Sequence, residues 1–309
     1  MDGFLTSMGS AISQGMIWGI MVLGVYITFR ILDFADMTVD GSFALGGCIC
    51  AVLVVNHGMN PWLACLIAAL TGAVAGAVTG FLHTMFNIPA ILAGILTQIS
   101  LWSINLRIMG KSNTPLLKVD TIFSNISDMT GLENKVVAFI VGLVISIVVV
   151  LVLYWFFGTE IGASLRATGN NEKMIRALGV NTKLTKMIGL MVSNALVGLS
   201  GGLLCQSQKY ADIGMGTGAI VIGLAAIVIG EVLLGRLRSF GGKLAAAVVG
   251  AIVYFVIRAI VLRLGMDAND MKMLSAIIVA LALCVPVAIE KFRIRHSYSE
   301  GGSGDVSSK

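Results

Sequence analysis

The segment Val136–Phe157, VVAFIVGLVISIVVVLVLYWFF, decides the fold class of this chain. It contains no charged side chain. A helix needs about 20 mostly apolar residues to cross the hydrocarbon core of a bilayer, and this segment has that length. A surface helix of a soluble protein has a polar face, and this segment has none. The pattern therefore indicates a transmembrane helix.

The same pattern recurs along the chain. The 309 residues are 57% hydrophobic and only 12% charged, against about 25% charged in soluble domains, and the mean hydropathy is +0.94. The predicted spans are Ser10–Phe29, Gly41–Val55, Pro61–Met85, Ile91–Met109, Val136–Phe157, Met187–Cys205, Gly218–Leu234, Leu244–Leu264 and Met273–Ile289. We predict an all-α integral membrane protein, a polytopic bundle of about nine transmembrane helices forming a single domain over residues 1–309.

Two of the predicted spans are short for a full crossing. Gly41–Val55 and Gly218–Leu234 are each a candidate for a broken or re-entrant segment. Such a segment is tolerated at membrane depth when it packs inside protein. Glycines spaced four apart, such as Gly72, Gly76 and Gly80, are expected to bring helices close together. Packing within one subunit and a seam between two subunits both fit that spacing.

Basic side chains mark one side of the membrane. Gly158–Lys186 carries five basic residues against two acidic ones, and the turn Gly235–Lys243 and the chain after Ile289 are also basic. Cytoplasmic loops carry an excess of Lys and Arg, so these segments are predicted to be cytoplasmic, whereas Gly110–Lys135, of mixed charge, fits the outside. The N-terminus is then outside and the C-terminus in the cytoplasm of a bacterial cell.

The net charge of +5 follows from this topology, so no nucleic-acid partner is expected. The tail Ser297–Lys309 is rich in Gly and Ser and is expected to be disordered. No HExxH motif or phosphate-binding loop is present, so we expect no enzyme activity. The cysteines lie in apolar spans and are interpreted as small buried side chains without a metal: Cys48, Cys50, Cys65, Cys205 and Cys284.

Polar side chains inside the spans are sparse, and each is costly if it faces lipid. Gln98, Asn105 and Asn194 are therefore predicted to point into the bundle or an aqueous path, and they are candidates for lining a substrate path. Hydrogen bonding between helices explains the same residues. Asp36, Thr38 and Ser42, in LDFADMTVDGS (residues 32–42), fit either a solvated turn or a pore mouth and helix cap.

The segment Gly158–Lys186 is more ordered in pattern than a plain loop. NNEKMIRALG (residues 170–179) predicts a short helix over Asn170–Leu178 that Asn170 or Asn171 caps and Gly179 ends. The helix would be basic with an apolar stripe, and a helix of that kind on the cytoplasmic side is suited to docking another protein. The residues predicted for this role are Arg166, Asn170, Asn171, Glu172, Lys173, Arg176, Gly179 and Asn181.

The stretch Gly162–Asn181, GASLRATGNNEKMIRALGVN, resembles the cytoplasmic coupling-loop motif of ATP-binding-cassette import permeases of the branched-chain amino acid and simple-sugar group. Ala163 stands where that family usually has arginine. Ala35–Ser42, ADMTVDGS, is similar to the family's Ile-Asp-Leu-Ser-Val-Gly-Ser, with Asp40 as an extra residue. AAIVIG (residues 225–230) is similar to a third family segment, with Glu231 in place of glycine.

This resemblance implies a permease without its own ATPase or cofactor, because ATP is bound by partner subunits. It implies cytoplasmic ATPase subunits, an external substrate-binding lipoprotein and a second permease copy, expected to form a homodimer in the lipid bilayer. The form TVDGSFALGG (residues 38–47) is similar to the subgroup that works with binding proteins for tryptophan or tyrosine. A branched-chain amino acid, a sugar or a nucleoside remains an alternative cargo.

Two other functions fit the composition. A transporter driven by an ion gradient would need carboxylates inside the membrane, and Glu231 is the plausible one. A membrane scaffold without transport activity would leave the coupling-loop motif unexplained.

Overall fold

The computed structural model describes residues 2–117, 119–234 and 239–264, together with seven single positions between 270 and 284. Within these residues the chain forms eleven α-helices and two short strands. They are α1 (Asp2–Tyr26), α2 (Val39–His57), α3 (Pro61–Phe86), α4 (Ala90–Met109), β1 (Asn113–Pro115), α5 (Ile122–Thr130), α6 (Asn134–Gly158), α7 (Glu160–Asn170), α8 (Glu172–Ala177), α9 (Thr182–Gln208), β2 (Tyr210–Asp212), α10 (Ala219–Leu234) and α11 (Phe240–Arg263).

Eight of the described helical segments are long and apolar enough to cross a membrane, and they coincide with the first eight predicted spans. The chain is therefore an all-α polytopic membrane protein, as predicted. The ninth predicted span, Met273–Ile289, lies outside the described residues except for single helical positions, and the tail Ser297–Lys309 lies wholly outside them.

Helix α1 occupies the centre of the bundle. Its span, Met8–Ile31, is 83% buried, and α6, α9, α10 and α11 pack around it. Helix α6, which contains the segment VVAFIVGLVISIVVVLVLYWFF, is only 33% buried at a mean hydropathy of 3.4. Apolar side chains cover both helices, but those of α1 contact protein, whereas those of α6 form an outer surface suited to lipid.

Helices α3 and α9 pack through glycines that let their backbones approach. Gly72 lies against the Asn194 carbonyl, Gly76 against the Leu190 carbonyl, and Gly198 against the Ala68 carbonyl. A Cβ atom at any of the three would collide with backbone atoms. Close contact at small residues is how membrane helices associate, so these glycines serve packing within one subunit.

The two short spans differ in structure. The first is a continuous helix, α2, so the interpretation of Gly41–Val55 as a broken segment was wrong. The second is the helix α10 (Ala219–Leu234), and a break precedes it: a 3₁₀ turn over Ile213–Gly216 is followed by Gly218, whose φ is +84°. The strand pair β1–β2 immediately precedes this turn and joins the segment after α4 to the segment after α9.

A second irregularity follows α1. Its last turn is a π-helix, Ile27–Ile31, and the chain then leaves helical geometry until α2 begins. Asp33 has a φ of +51°, which is uncommon for a residue other than glycine. Leu32, Phe34 and Asp36 are buried. The interpretation of this segment as a solvated turn was therefore wrong.

We expect Gly76→Ala to destabilise the protein by about 1–3 kcal/mol, because the added methyl group overpacks the contact between α3 and α9. Thermal unfolding of the purified protein in lipid nanodiscs measures the change. Gly158→Ala is the matched control, since a Cβ there meets nothing within 4 Å. Equal unfolding temperatures for the two variants would contradict the role given to Gly76.

Candidate functional site

The carboxylate of Asp36 is fully buried and joins three parts of the chain. Its Oδ1 accepts a hydrogen bond of 2.9 Å from the backbone N–H of Thr38, and its Oδ2 accepts one of 2.7 Å from Nδ2 of Asn194 on α9. Hydrogen bonds to the charged form are what make a buried carboxylate tolerable. Asp36 therefore fixes the non-helical segment between α1 and α2 onto the middle of α9.

The hydroxyl of Thr38 continues this network to two further helices. It lies 2.7 Å from the hydroxyl of Thr79 on α3, which in turn lies 3.0 Å from the hydroxyl of Thr97 on α4. All three are buried. Thr38 precedes the first residue of α2, yet its side chain makes no cap hydrogen bond to that helix. Three of the predicted path residues, Asp36, Thr38 and Asn194, thus meet in one interhelical network.

Asn105 lies apart from this network, in a second polar region. It lines a cavity of about 40 Å³, and 1% of its surface is exposed. Neither its Oδ1 nor its Nδ2 finds a hydrogen-bond partner within the described part of the chain. The residues that line this cavity are Asp40, Gly41, Ala44, Gln98, Trp102, Asn105, Ile213 and Thr217.

The predicted path residues therefore fall into two groups. The cavity brings Gln98 and Asn105 together, whereas Asn194 belongs to the Asp36 network. Ser42 belongs to neither group, since it is buried and its hydroxyl has no partner among the described residues.

Asp40 has a role that the sequence reasoning missed. Its carboxylate accepts hydrogen bonds from the backbone N–H groups of Gly218, at 2.9 Å, and of Ile220, at 3.0 Å. These groups belong to the start of α10, which favours a negative charge because of its exposed N–H donors. Asp40 therefore caps a helix that lies about 180 residues away. The signal in the sequence that could have indicated this contact was the shortness of the predicted span Gly218–Leu234.

The predicted coupling segment consists of two helices, α7 and α8, rather than one. Asn171, not Asn170, caps the second: its Oδ1 accepts a hydrogen bond of 3.0 Å from Met174 N, whereas Asn170 ends α7. The helix spans Glu172–Ala177, so the predicted bounds of Asn170–Leu178 were too wide. Gly179 follows it with a φ of +87°, as predicted for a glycine that ends a helix, and Asn181 caps α9.

The carboxylate of Glu172 holds α8 against the start of α9. It accepts hydrogen bonds of 2.6 Å from Lys186 Nζ, 2.6 Å from Arg176 Nη2 and 3.2 Å from the Thr182 hydroxyl. The Lys186 hydrogen bond, which outweighs partial burial, lowers the pKa of Glu172 below its usual value. Glu172 and Arg176 thus order the segment by bonding to each other and to α9.

The remaining predicted coupling residues differ in their exposure. Lys173 is exposed beside Met174 and Leu178, whose side chains are 51% and 71% exposed. Arg166 instead lies over the ring of Phe240, 5.3 Å from its centroid. Helix α8 consequently presents a basic and apolar surface, while Arg166 joins α7 to the first turn of α11.

Helix α7 contacts the segment that leads to Asp36. Gly169 lies against the carbonyl group of Ile31, and a Cβ there would collide with it. Leu165 on α7 and Leu32 both pack against Gly189 on α9. A displacement of α7 therefore acts directly on the backbone that enters the Asp36 network.

The family described as branched-chain amino acid transport system / permease component matches residues 7–285. The chain belongs to this permease family. A tyrosine transport system permease protein of Clostridioides difficile is 40% identical to this permease over 87% of the chain and 88% of the relative. The ribose import permease protein of Escherichia coli K12 is 24% identical over 91% of the chain and 82% of the relative.

Among solved structures, PsaBC from Streptococcus pneumoniae in complex with Fab aligns with a TM-score of 0.38 at 16% identity. The alignment covers 82% of this permease and 89% of that chain. The family resemblance found in the sequence motifs is confirmed by the family match and by the tyrosine permease relative.

We expect Glu172→Gln to speed amide hydrogen exchange over residues 172–186 by about two- to fivefold, since exposed ion pairs contribute roughly 0.2–1 kcal/mol. Lys173→Gln is the control, because no salt bridge of Lys173 is formed among the described residues. Because the pKa of Glu172 is lowered, the ion pairs stabilise the segment above pH 4.5, its usual value. They are lost as the pH falls through the lowered pKa. Equal exchange in both variants at neutral pH would contradict this role.

Proposed function

We propose that this permease is the membrane subunit of an ATP-driven importer and that it moves an aromatic amino acid delivered by an external binding lipoprotein. The observation that carries the proposal is the surface of α8, a capped helix with Lys173, Met174 and Leu178 exposed. The name of the Clostridioides difficile relative supports the cargo, since it describes tyrosine transport. ATP would be bound and hydrolysed by the partner, not by this chain.

The surface of α8 has the properties of a docking site. Exposed apolar side chains surrounded by charged ones mark sites of protein–protein contact. Met174 and Leu178 do not face lipid, because the charged side chains of Lys173 and Arg176 lie beside them. Met174 lies on the same short helix as the two charged residues, and Leu178 directly follows that helix. The Asn171 cap and the Glu172 ion pairs hold this helix in place, so a docked ATPase would push on an ordered element.

The contacts of α7 give the route by which that push would reach the membrane helices. Nucleotide-driven movement of α7 and α8 would pass through Gly169 to the Ile31 carbonyl, and then along the irregular segment to Asp36. Asp36 bonds to α9, and Thr38 is linked to α3 and α4. The nucleotide can shift the transporter only as far as its affinities for the two states differ.

The exposed surface of helix α4 is an argument for a second copy of the permease. Among the eight described spans α4 is the least buried, at 28%, and it has the lowest mean hydropathy, 1.4. Ser100, Ser103 and Arg107 are exposed on it, and polar side chains in a span are costly against lipid. A homodimer that brings this face of each copy to a shared path would enclose them.

Glu231 weighs against transport driven by an ion gradient. Its carboxylate forms a salt bridge with the guanidinium of Arg30 at the end of α1. This carboxylate already has Arg30 as its partner, whereas transport driven by an ion gradient needs a carboxylate that is available to the ion. The ion pair instead joins α10 to the π-helical turn.

We expect the double variant Met174→Glu and Leu178→Glu to weaken association with the ATPase by about tenfold or more, because truncating or charging buried anchors of an interface costs 2 kcal/mol or more. Co-purification with the ATPase subunit, together with uptake in proteoliposomes, measures the effect. Met129→Glu is the control, since Met129 is 87% exposed on α5, away from the docking surface. Unchanged association in the double variant would refute docking on α8.

The proposed orientation has its own test. Single cysteines at Lys173 and at Asn125, placed in a background without the five native cysteines, should react with a membrane-impermeant thiol reagent from opposite sides. Asn125 should react from outside in intact cells, and Lys173 only after permeabilisation, because basic loops stay in the cytoplasm. Both positions are exposed. Labelling of both in intact cells would overturn the orientation.

A further inference from the structure

The cavity at Asn105 is a polar space inside the membrane-spanning part of the protein. Asn105 offers it an amide whose oxygen and nitrogen both lack partners among the described residues. Leaving a buried polar group unpaired costs about 1–3 kcal/mol. Such a group, almost fully buried and lining a cavity, marks a place where a polar ligand is expected.

The groups around the cavity indicate whether that ligand carries a positive or a negative charge. The N–H groups at the start of α10 would attract an anion, but the carboxylate of Asp40 already occupies them. The three salt bridges found in the described ranges involve Glu231 and Glu172, and none involves Asp40. A carboxylate oxygen accepts more than one hydrogen bond, so Asp40 retains acceptor capacity toward the cavity. The cavity therefore favours a cation.

The other lining groups fit an ammonium group. The amide oxygens of Gln98 and Asn105 are hydrogen-bond acceptors, and the indole of Trp102, which is 52% exposed, lies at the side of the cavity. Ammonium groups bind to carboxylates, to amide oxygens and over the face of tryptophan rings.

The size of the cavity limits what enters it. A volume of about 40 Å³ exceeds the roughly 10–15 Å³ that one water needs by the same kind of measure, but it does not hold a whole amino acid. We infer that this cavity binds the ammonium end of an amino-acid substrate during passage, while the side chain of the substrate stays outside the cavity beside Trp102. This inference rests on the proposed function, and it assigns a contact site to that function.

The position of the site fits a passing contact. Asn105 and Trp102 lie on α4, the least buried span, which presents its polar face outward. Ile213 and Thr217, at the interruption before α10, form another wall of the cavity. Binding sites in transporters are commonly built at interrupted helices. A helix displacement that reaches α4 through Thr97 would change the distance between these two walls.

The test uses the permease with its ATPase and binding protein in proteoliposomes, and tyrosine as the probe. Asn105→Leu and Asn105→Asp both preserve the approximate size of the side chain, but only the second keeps acceptors for an ammonium group. Leu151→Ala, at an exposed position on the lipid-facing surface of α6, is the control. Uptake of tyrosine and the ATP hydrolysis stimulated by loaded binding protein are measured for each protein.

We expect Asn105→Leu to lower uptake by about tenfold, the effect of losing a hydrogen bond to a charged group, with ATP hydrolysis unchanged. Asn105→Asp and Leu151→Ala should keep at least about half of the uptake, because the cationic end still finds its acceptors. Unchanged uptake in Asn105→Leu would mean that the cavity holds only water, and it would overturn the site.

The aspartate variant tests the site independently of whether Asn105→Leu inserts into the membrane. Loss of uptake in Asn105→Asp, with intact ATP hydrolysis, would show that a negative charge is not favoured there and would also overturn the site. Absence of ATP-dependent uptake of any amino acid by the unmodified permease would refute the proposed function itself. The two failures are therefore distinguishable.

Discussion

The buried carboxylate of Asp36 holds the point at which the chain passes from α1 to α2. Backbone in the hydrocarbon region stays helical unless other groups satisfy its N–H and C=O donors and acceptors. Here the chain leaves the helix after Ile31, and Asp36 bonds to both the Thr38 N–H and the Asn194 amide. The start of α2 is fixed by these bonds, and α2 in turn carries Asp40 to the first N–H groups of α10. Removing Asp36 would therefore disturb both helix starts.

The non-helical segment between α1 and α2 lies between the proposed docking surface of α8 and the cavity at Asn105. On one side Gly169 of α7 contacts the Ile31 carbonyl, and on the other Thr38 is linked through Thr79 to Thr97 of α4. Packed contacts and hydrogen bonds of this kind carry displacements because they cannot stretch far without breaking. The π-helical turn Ile27–Ile31 ends at this contact, and such turns are frequent at functional sites. A movement of α7 and α8 thus has a direct physical connection to the helix that carries Asn105.

The candidate site was only partly predictable. Asn105 and Gln98 stood out because amides are costly in lipid, and the structure places both at one cavity. Asp40 and Trp102 could not be assigned to that cavity, since their approach depends on contacts between α2, α4 and the segment before α10. Asn194 resembled Asn105 in the sequence but bonds to Asp36 instead. Residue type predicts that a polar side chain will avoid lipid, but it does not predict which partner it finds.

The sequence by itself determined the membrane spans and the local signals at their ends. Hydrophobic length decides insertion, so eight segments were correctly located, and the Asn171 and Gly179 signals of α8 act over one turn of the chain. Only the tertiary structure decided that α2 is continuous while a 3₁₀ turn and a break precede α10, and that Glu172 joins α8 to α9. These features depend on groups brought together from distant parts of the chain. Their energies are set by burial and partner geometry, which no local pattern of residues contains.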